Sequence, residues 1–125
     1  MDSMTIGTVA RLSNTPASTI RYYEAIGVLP RPVRVNGRRR YDASVLQDLR
    51  RVVFARRAGF ALSEMRRLRR CAAAEQLVLW RELLRRKREE AEARLAAART
   101  ARDLLDQAAA CDCASLFACQ PKRDG

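Results

Sequence analysis

The chain has 125 residues, with 25 Lys+Arg against 14 Asp+Glu, a net charge of +11, no histidine and four cysteines. That length accommodates one small domain with an extension and excludes a barrel or a full dinucleotide-binding enzyme. Without histidine, Ser-His-Asp and Cys-His catalysis and the usual His zinc sites are also excluded, so an enzyme is not expected. No apolar run is long enough to span a membrane, and the N-terminus lacks a signal-peptide core. The charge is unevenly placed. Residues 1–70 hold 15 Arg and 5 acidic residues, a balance of +10, whereas residues 71–125 hold 10 basic and 9 acidic residues, a balance of +1. A basic half followed by a balanced half points to a head for a polyanion, most simply nucleic acid, joined to a part with another task.

In chain order, Thr5 is a candidate N-cap, and Ile6, Val9, Ala10 and Leu12 form a short helical apolar face. Ser13-Asn14 breaks the pattern, because Asn tolerates a left-handed backbone. Thr15 then caps a second helix with Pro16 at its first position, running through Ala17, Ile20 and Tyr23 to about Ala25. Two short helices on a tight turn form a helix-turn-helix. Gly27 ends the second helix, and Pro30 and Pro32 keep the next stretch non-helical. Asn36-Gly37 predicts a type I′ hairpin, with Arg38-Arg39-Arg40-Tyr41 as its return strand. Asp42 caps a third helix carrying Val45, Leu46, Leu49, Val52, Val53 and Phe54. Gly59 stops it, and Leu62, Met65 and Leu68 mark a fourth.

From Ala74 to Ala108 there is no Gly or Pro, and Ala, Leu, Arg and Glu dominate. One helix of about 50 Å is expected. Leu77, Leu84, Ala91, Ala98 and Leu105 fall on one heptad position. Trp80, Lys87, Arg94, Ala101 and Ala108 fall on the other, so the seam is imperfect. Leu83, Leu95 and Leu104 widen the stripe. So long a stripe on so small a chain calls for a second copy in a coiled coil.

Residues 5–57 resemble the DNA-binding head of the MerR family of bacterial transcription regulators. The resemblance is carried by Thr5-Ile6-Gly7-Thr8-Val9-Ala10, by Ser18-Thr19-Ile20-Arg21-Tyr22-Tyr23-Glu24, by Gly27-Val28-Leu29 and by Asn36-Gly37-Arg38-Arg39-Arg40-Tyr41. Ala58-Gly59-Phe60-Ala61-Leu62 continues it, and with the long helix it covers roughly residues 4–119. Asn14-Thr15 departs from the family's usual Gly-Val. The fold class that follows is all-α with a small β wing: a winged helix-turn-helix head and a long dimerisation helix, forming an antiparallel coiled coil in the dimer. The expected segments are a head at 4–72, a dimerisation helix at 73–109, and a Cys-rich loop and tail at 110–125.

The expected DNA contacts are Thr15, Ser18, Thr19, Arg21 and Tyr22 at the second helix and Arg38, Arg39, Arg40 and Tyr41 in the wing. Ser18 and Thr19 lie near a helix N-terminus that can face phosphate or enter the major groove. The family pattern turns Tyr22 outward and Tyr23 inward. Arg50, Arg51, Arg56, Arg57, Arg66, Arg67, Arg69 and Arg70 are expected to form mainly a solvated basic face.

Cys111, Cys113 and Cys119 lie within nine residues as C-x-C-x5-C, just after the long helix. In a reducing compartment they stay thiols, and three thiols at a helix end suit a soft metal ion. Two thiolates suit Cu(I), Ag(I) or Au(I), three suit Hg(II), Pb(II) or As(III), and zinc needs a fourth ligand such as Asp112. Metal-sensing members of the family bind their ion in this place. Cys111 and Cys119 resemble the pair of the copper/silver/gold sensors. The three together resemble part of the [2Fe–2S] site of the redox sensors, but Ala108 stands where the first cluster cysteine would be. Cys71 is expected to be a small buried hydrophobe, and Leu116 and Phe117 to shield the site or pack on a partner.

The resemblance implies a cytoplasmic, nucleoid-associated homodimer on promoter DNA that works with RNA polymerase and is switched by a thiophilic metal. Other readings are a redox or small-molecule-responsive regulator and a non-sensing architectural DNA-binding protein.

Overall fold

The computed structural model describes residues 3–120. Their order is α1 (Ile6–Ser13), α2 (Ala17–Ile26), β1 (Val33–Val35), β2 (Arg38–Arg40), α3 (Ser44–Arg57), α4 (Leu62–Arg70), α5 (Ala73–Ala110) and a 3₁₀ turn, Leu116–Ala118. This is the expected winged helix-turn-helix with a long C-terminal helix. Residues 121–125 of the expected tail lie outside the described residues. Among the described residues no helix is long and apolar enough to cross a membrane.

Local chemistry sets the head's boundaries. Thr5 Oγ1 accepts from the Thr8 amide at 3.2 Å, capping α1. Asn14 closes it in the left-handed region, at φ 52°. The expected cap of α2 is corrected by one position. Pro16 is the N-cap residue, and the Thr15 hydroxyl instead donates to the Ser13 carbonyl at 3.2 Å. Pro16 ψ is 143°, an extended value, so the helix begins after the proline rather than on it. Gly27 ends α2 at φ 83°, which an L side chain rarely adopts. At the hairpin, Asn36 and Gly37 take φ 52° and 77°, the two positive values that a type I′ turn requires. The strands pair antiparallel, with Val33 opposite Arg40, Arg34 opposite Arg39 and Val35 opposite Arg38. Asp42 acts just before α3, where Oδ1 accepts the Ser44 amide at 2.8 Å.

The main core joins Val9, Ile20, Val28, Leu29, Tyr41, Val45, Leu49 and Val52, so both helices of the helix-turn-helix, the wing and α3 share one interior. Burying these side chains away from water is the main force holding these elements together. A second cluster, Ala55, Phe60 and Leu83, receives Trp80, whose ring stacks on Phe60 at 5.4 Å. Two compact units result, one through Lys87 and one from Arg88. The first turns of α5 pack with the head. Glu64 of α4 secures them, accepting from Lys87 Nζ at 2.9 Å and Arg86 Nη2 at 3.1 Å.

Candidate nucleic-acid interface and thiol cluster

The outer face of α2 carries Ser18, Arg21 and Tyr22, with Thr19 half-buried. Tyr22 is 54 % exposed, while Tyr23 packs against the core as the family pattern suggests. Thr15 is half-buried and its hydroxyl is committed to Ser13. In the wing, Arg38 is exposed at the strand end, free to meet a phosphate. Arg40 is partly engaged, donating from Nε to Ser3 Oγ at 2.9 Å and from Nη2 to the Ser3 carbonyl at 2.7 Å.

Arg39 and Tyr41 point the other way. In a strand, residues two apart share a face, and this face meets α2. Tyr41 is only 5 % exposed, and its hydroxyl donates to Glu24 Oε1. Arg39 Nε donates to Glu24 Oε2 at 3.0 Å. Burial, then the Glu24 hydrogen bond, pushes the Tyr41 hydroxyl well above its ordinary pKa, so it remains a neutral donor. Expected among the DNA contacts, Tyr41 instead braces the wing against α2, because its ring belongs to the core and its polar tip is satisfied inside.

Glu24 was not among the expected site residues, although it is the buried charged residue of the head, 7 % exposed. Its signal was available. It lies four residues after Ile20, which is fully buried, and so shares its inward helix face. Two further arginines also join the surface. Arg21, Arg31, Arg34 and Arg39 line a hollow of about 240 Å³ between α2 and the wing. Some members of the basic face are engaged within the chain: Arg56 Nη1 donates to the Phe60 carbonyl at 3.3 Å and Arg51 Nη1 to Asp48 Oδ1 at 3.2 Å. Arg69 Nε donates to the Val28 carbonyl at 2.7 Å, and its Nη2 lies 3.4 Å from Asp48.

Beyond α5, the sulfurs of Cys111, Cys113 and Cys119 all lie within 4.8 Å of one another. The loop after the helix, turned by Leu116–Ala118, brings Cys119 back to the pair. Cys111 and Cys113 are joined as a disulfide, so the expected three-thiol group corresponds to the reduced form of the loop. Their Cα atoms stand 5.4 Å apart, within ordinary disulfide reach. Reduced, the group offers three soft sulfur donors and no nitrogen, which fits a thiophilic ion. Asp112 does not join this group. Cys71 is a half-buried C-cap of α4 rather than a core residue. Phe117 is 97 % exposed, whereas Leu116, though 80 % exposed, lines one hollow with Cys111 and Cys119.

The family profile described as MerR HTH family regulatory protein matches residues 4–70. The HTH-type transcriptional regulator HmrR of Rhizobium leguminosarum bv. viciae is 44% identical over 66 residues, 52% of this chain and 50% of that protein. The mercuric resistance operon regulatory protein of Serratia marcescens is 37% identical over 71 residues, 56% of this chain and 49% of that protein. The chain thus aligns with about half the length of these relatives. Among solved structures, the regulator PbrR691 from Ralstonia metallidurans CH34 in complex with lead(II) superposes with a TM-score of 0.61 at 28% identity. That match covers 93% of this chain and 94% of that one.

Proposed function

Because the chain belongs to the MerR HTH family, we propose that it is a transcription regulator that binds promoter DNA as a homodimer and is switched by a thiophilic metal ion at Cys111, Cys113 and Cys119. The convergence of three sulfurs within 4.8 Å, just past the long helix, carries the sensing part of this reading. Likeness to a mercuric resistance regulator and a lead(II)-bound regulator supports it.

Ser18 and Thr19 present hydroxyls at the start of α2 toward phosphate or base edges, and Arg21, Tyr22 and Arg38 hold the flanking backbone. Glu24 and Tyr41 position the wing without touching DNA. A bound ion would supply a soft Lewis acid that holds the three thiolates together. The loop then has two arrangements, and it can switch transcription only if one of them favours one promoter conformation over another. RNA polymerase reads that conformation. On this reading the chain acts where promoter DNA is, and no catalytic step is assigned to it.

Anaerobic purification followed by competitive metal titration tests the site. One tightly bound soft ion per protomer is expected. The double variant Cys111→Ser, Cys119→Ser should abolish ion-induced transcription while leaving DNA affinity intact, and an unchanged response removes metal sensing. The Cys111–Cys113 disulfide favours one second reading, in which thiol oxidation is the signal. A full response to oxidant by metal-free protein distinguishes it.

A further inference from the structure

Cys111 and Cys119 do more than face each other. Both line an open apolar hollow of about 920 Å³, walled by Leu104, Leu105 and Ala108 of α5 and by Leu116 of the 3₁₀ turn. Cys113, though within 4.8 Å of both sulfurs, is not part of that lining. A bare ion held between three sulfurs leaves such a volume unused. An apolar wall beside fixed polar ligands is instead the usual form of a site for a molecule with an apolar body and one reactive head.

We propose that this hollow receives the organic group of a carbon-bearing trivalent arsenical, R–As, whose arsenic is held by Cys111 and Cys119. The proposal rests on the thiolate reading of the loop and narrows its ligand class. Valence decides between candidates. Arsenic(III) makes three bonds, and inorganic arsenite would use all three on sulfur, consuming Cys111, Cys113 and Cys119. An arsenical already bonded to one carbon has two bonds left, which matches the two cysteines that face the hollow. An organomercury cation needs a single thiolate and would give the second sulfur no necessary part.

The reaction balances without an oxidant. From R–As(OH)₂ two As–O bonds break and two As–S bonds form. The two thiol protons leave with the hydroxyls as two waters, while the As–C bond and the trivalent state are retained. The Cys111–Cys113 disulfide must first be reduced. A water-soluble phosphine does this, taking oxygen from water to become the phosphine oxide as both thiols gain a proton.

The test uses the full chain, reduced with phosphine and desalted anaerobically. It is titrated separately with phenylarsine oxide, methylarsine oxide and arsenite, and followed by intact mass and by loss of free thiols. The phenyl compound should bind one per protomer, consume two thiols and bind about tenfold or more tighter than the methyl compound, because its ring is withdrawn from water. Cys113→Ser should leave phenyl binding unchanged and weaken arsenite about tenfold or more. Leu116→Gln, in the 3₁₀ turn beyond α5, and Leu104→Gln, off the heptad seam, should each bring the phenyl-to-methyl ratio toward one without moving methyl binding. Unchanged helicity and elution volume show that these variants fold. Equal phenyl and methyl affinity, an unaltered ratio in both leucine variants, or phenyl binding that needs Cys113 overturns the proposal. If arsenite and other soft ions bind but no phenyl preference exists, this inference alone fails. If the reduced chain binds no soft ion and no arsenical, the metal-sensing reading fails with it.

Discussion

Glu24 shows how a single side chain links recognition to stability. Its two oxygens take Tyr41 and Arg39, tying α2 to the wing. Among the described residues no buried side-chain nitrogen or oxygen lacks a partner, so removing one member of this set leaves another unsatisfied. Tyr41→Phe is expected to cost about 1–3 kcal/mol in urea unfolding and to lower promoter affinity, since the wing loses its brace. Equal stability of variant and parent would show that the contact contributes nothing net. Glu64 behaves differently. Burial pushes its carboxyl up, but hydrogen bonds from Lys87 and the Ala61 amide, with the Lys87 charge, hold it below the ordinary 4.5. A carboxyl whose pKa is depressed in the folded state contributes stability above its unfolded value. That contribution is lost as pH falls through the folded one. Thermal stability should therefore drop below about pH 4.5, and Glu64→Gln should flatten this fall while lowering stability at neutral pH. Melting curves of both proteins from pH 3 to 7 read the difference directly.

The wing is the element in which chain chemistry and DNA binding are most closely joined. Its turn needs positive φ at Asn36 and Gly37. Gly37 has open space around it, so a substitution there acts through the backbone alone. Gly37→Val should loosen the hairpin and weaken binding to all sequences, with little loss of core stability, as gel shifts and melting curves taken together would show. Arg38 is the cleaner probe of charge. Arg38→Ala should reduce the slope of log affinity against log salt by about 1 per protomer, about 2 for the dimer, because each lost phosphate contact removes about one released counterion. An unchanged slope would remove Arg38 from the interface. Arg39 should respond differently, because its charge is already paired with Glu24 and its loss disturbs the fold of the wing.

The whole molecule depends on what covers α5. Of this 38-residue helix only Leu83 is buried, whereas Leu84, Leu95, Leu104 and Leu105 lie exposed along the stripe. On the proposed homodimer reading, these exposed leucines would face the helix of a second copy. Leu95→Glu with Leu105→Glu should yield monomers in sedimentation equilibrium and lose cooperative binding to a two-half-site promoter. A dimer that survives both changes would place the interface elsewhere. The long helix was legible because thirty-five residues without Gly or Pro leave the backbone few alternatives. The hairpin was legible because Asn-Gly has a narrow backbone preference. The thiol cluster was legible as a spacing, but the Cys111–Cys113 bond and the apolar hollow beside it were not.

By itself the sequence determined which elements form, where most of them stop, where the positive charge lies and that a metal site here would be built mainly from thiolates. These are properties of short windows, set by propensity, capping, turn chemistry and composition. The tertiary structure alone decided which wing residues face inward, which arginines are structural and which residues accompany the thiols. Arg38, Arg39 and Arg40 are identical in type, and only the packing of β2 against α2 and its bridge to the N-terminal segment distinguishes them. Facing depends on partners distant in the chain. Glu24 and Tyr41 are seventeen residues apart, and no local pattern states that a carboxylate will be buried beside a particular phenol until the core of Ile20, Leu29 and Val45 has brought them together.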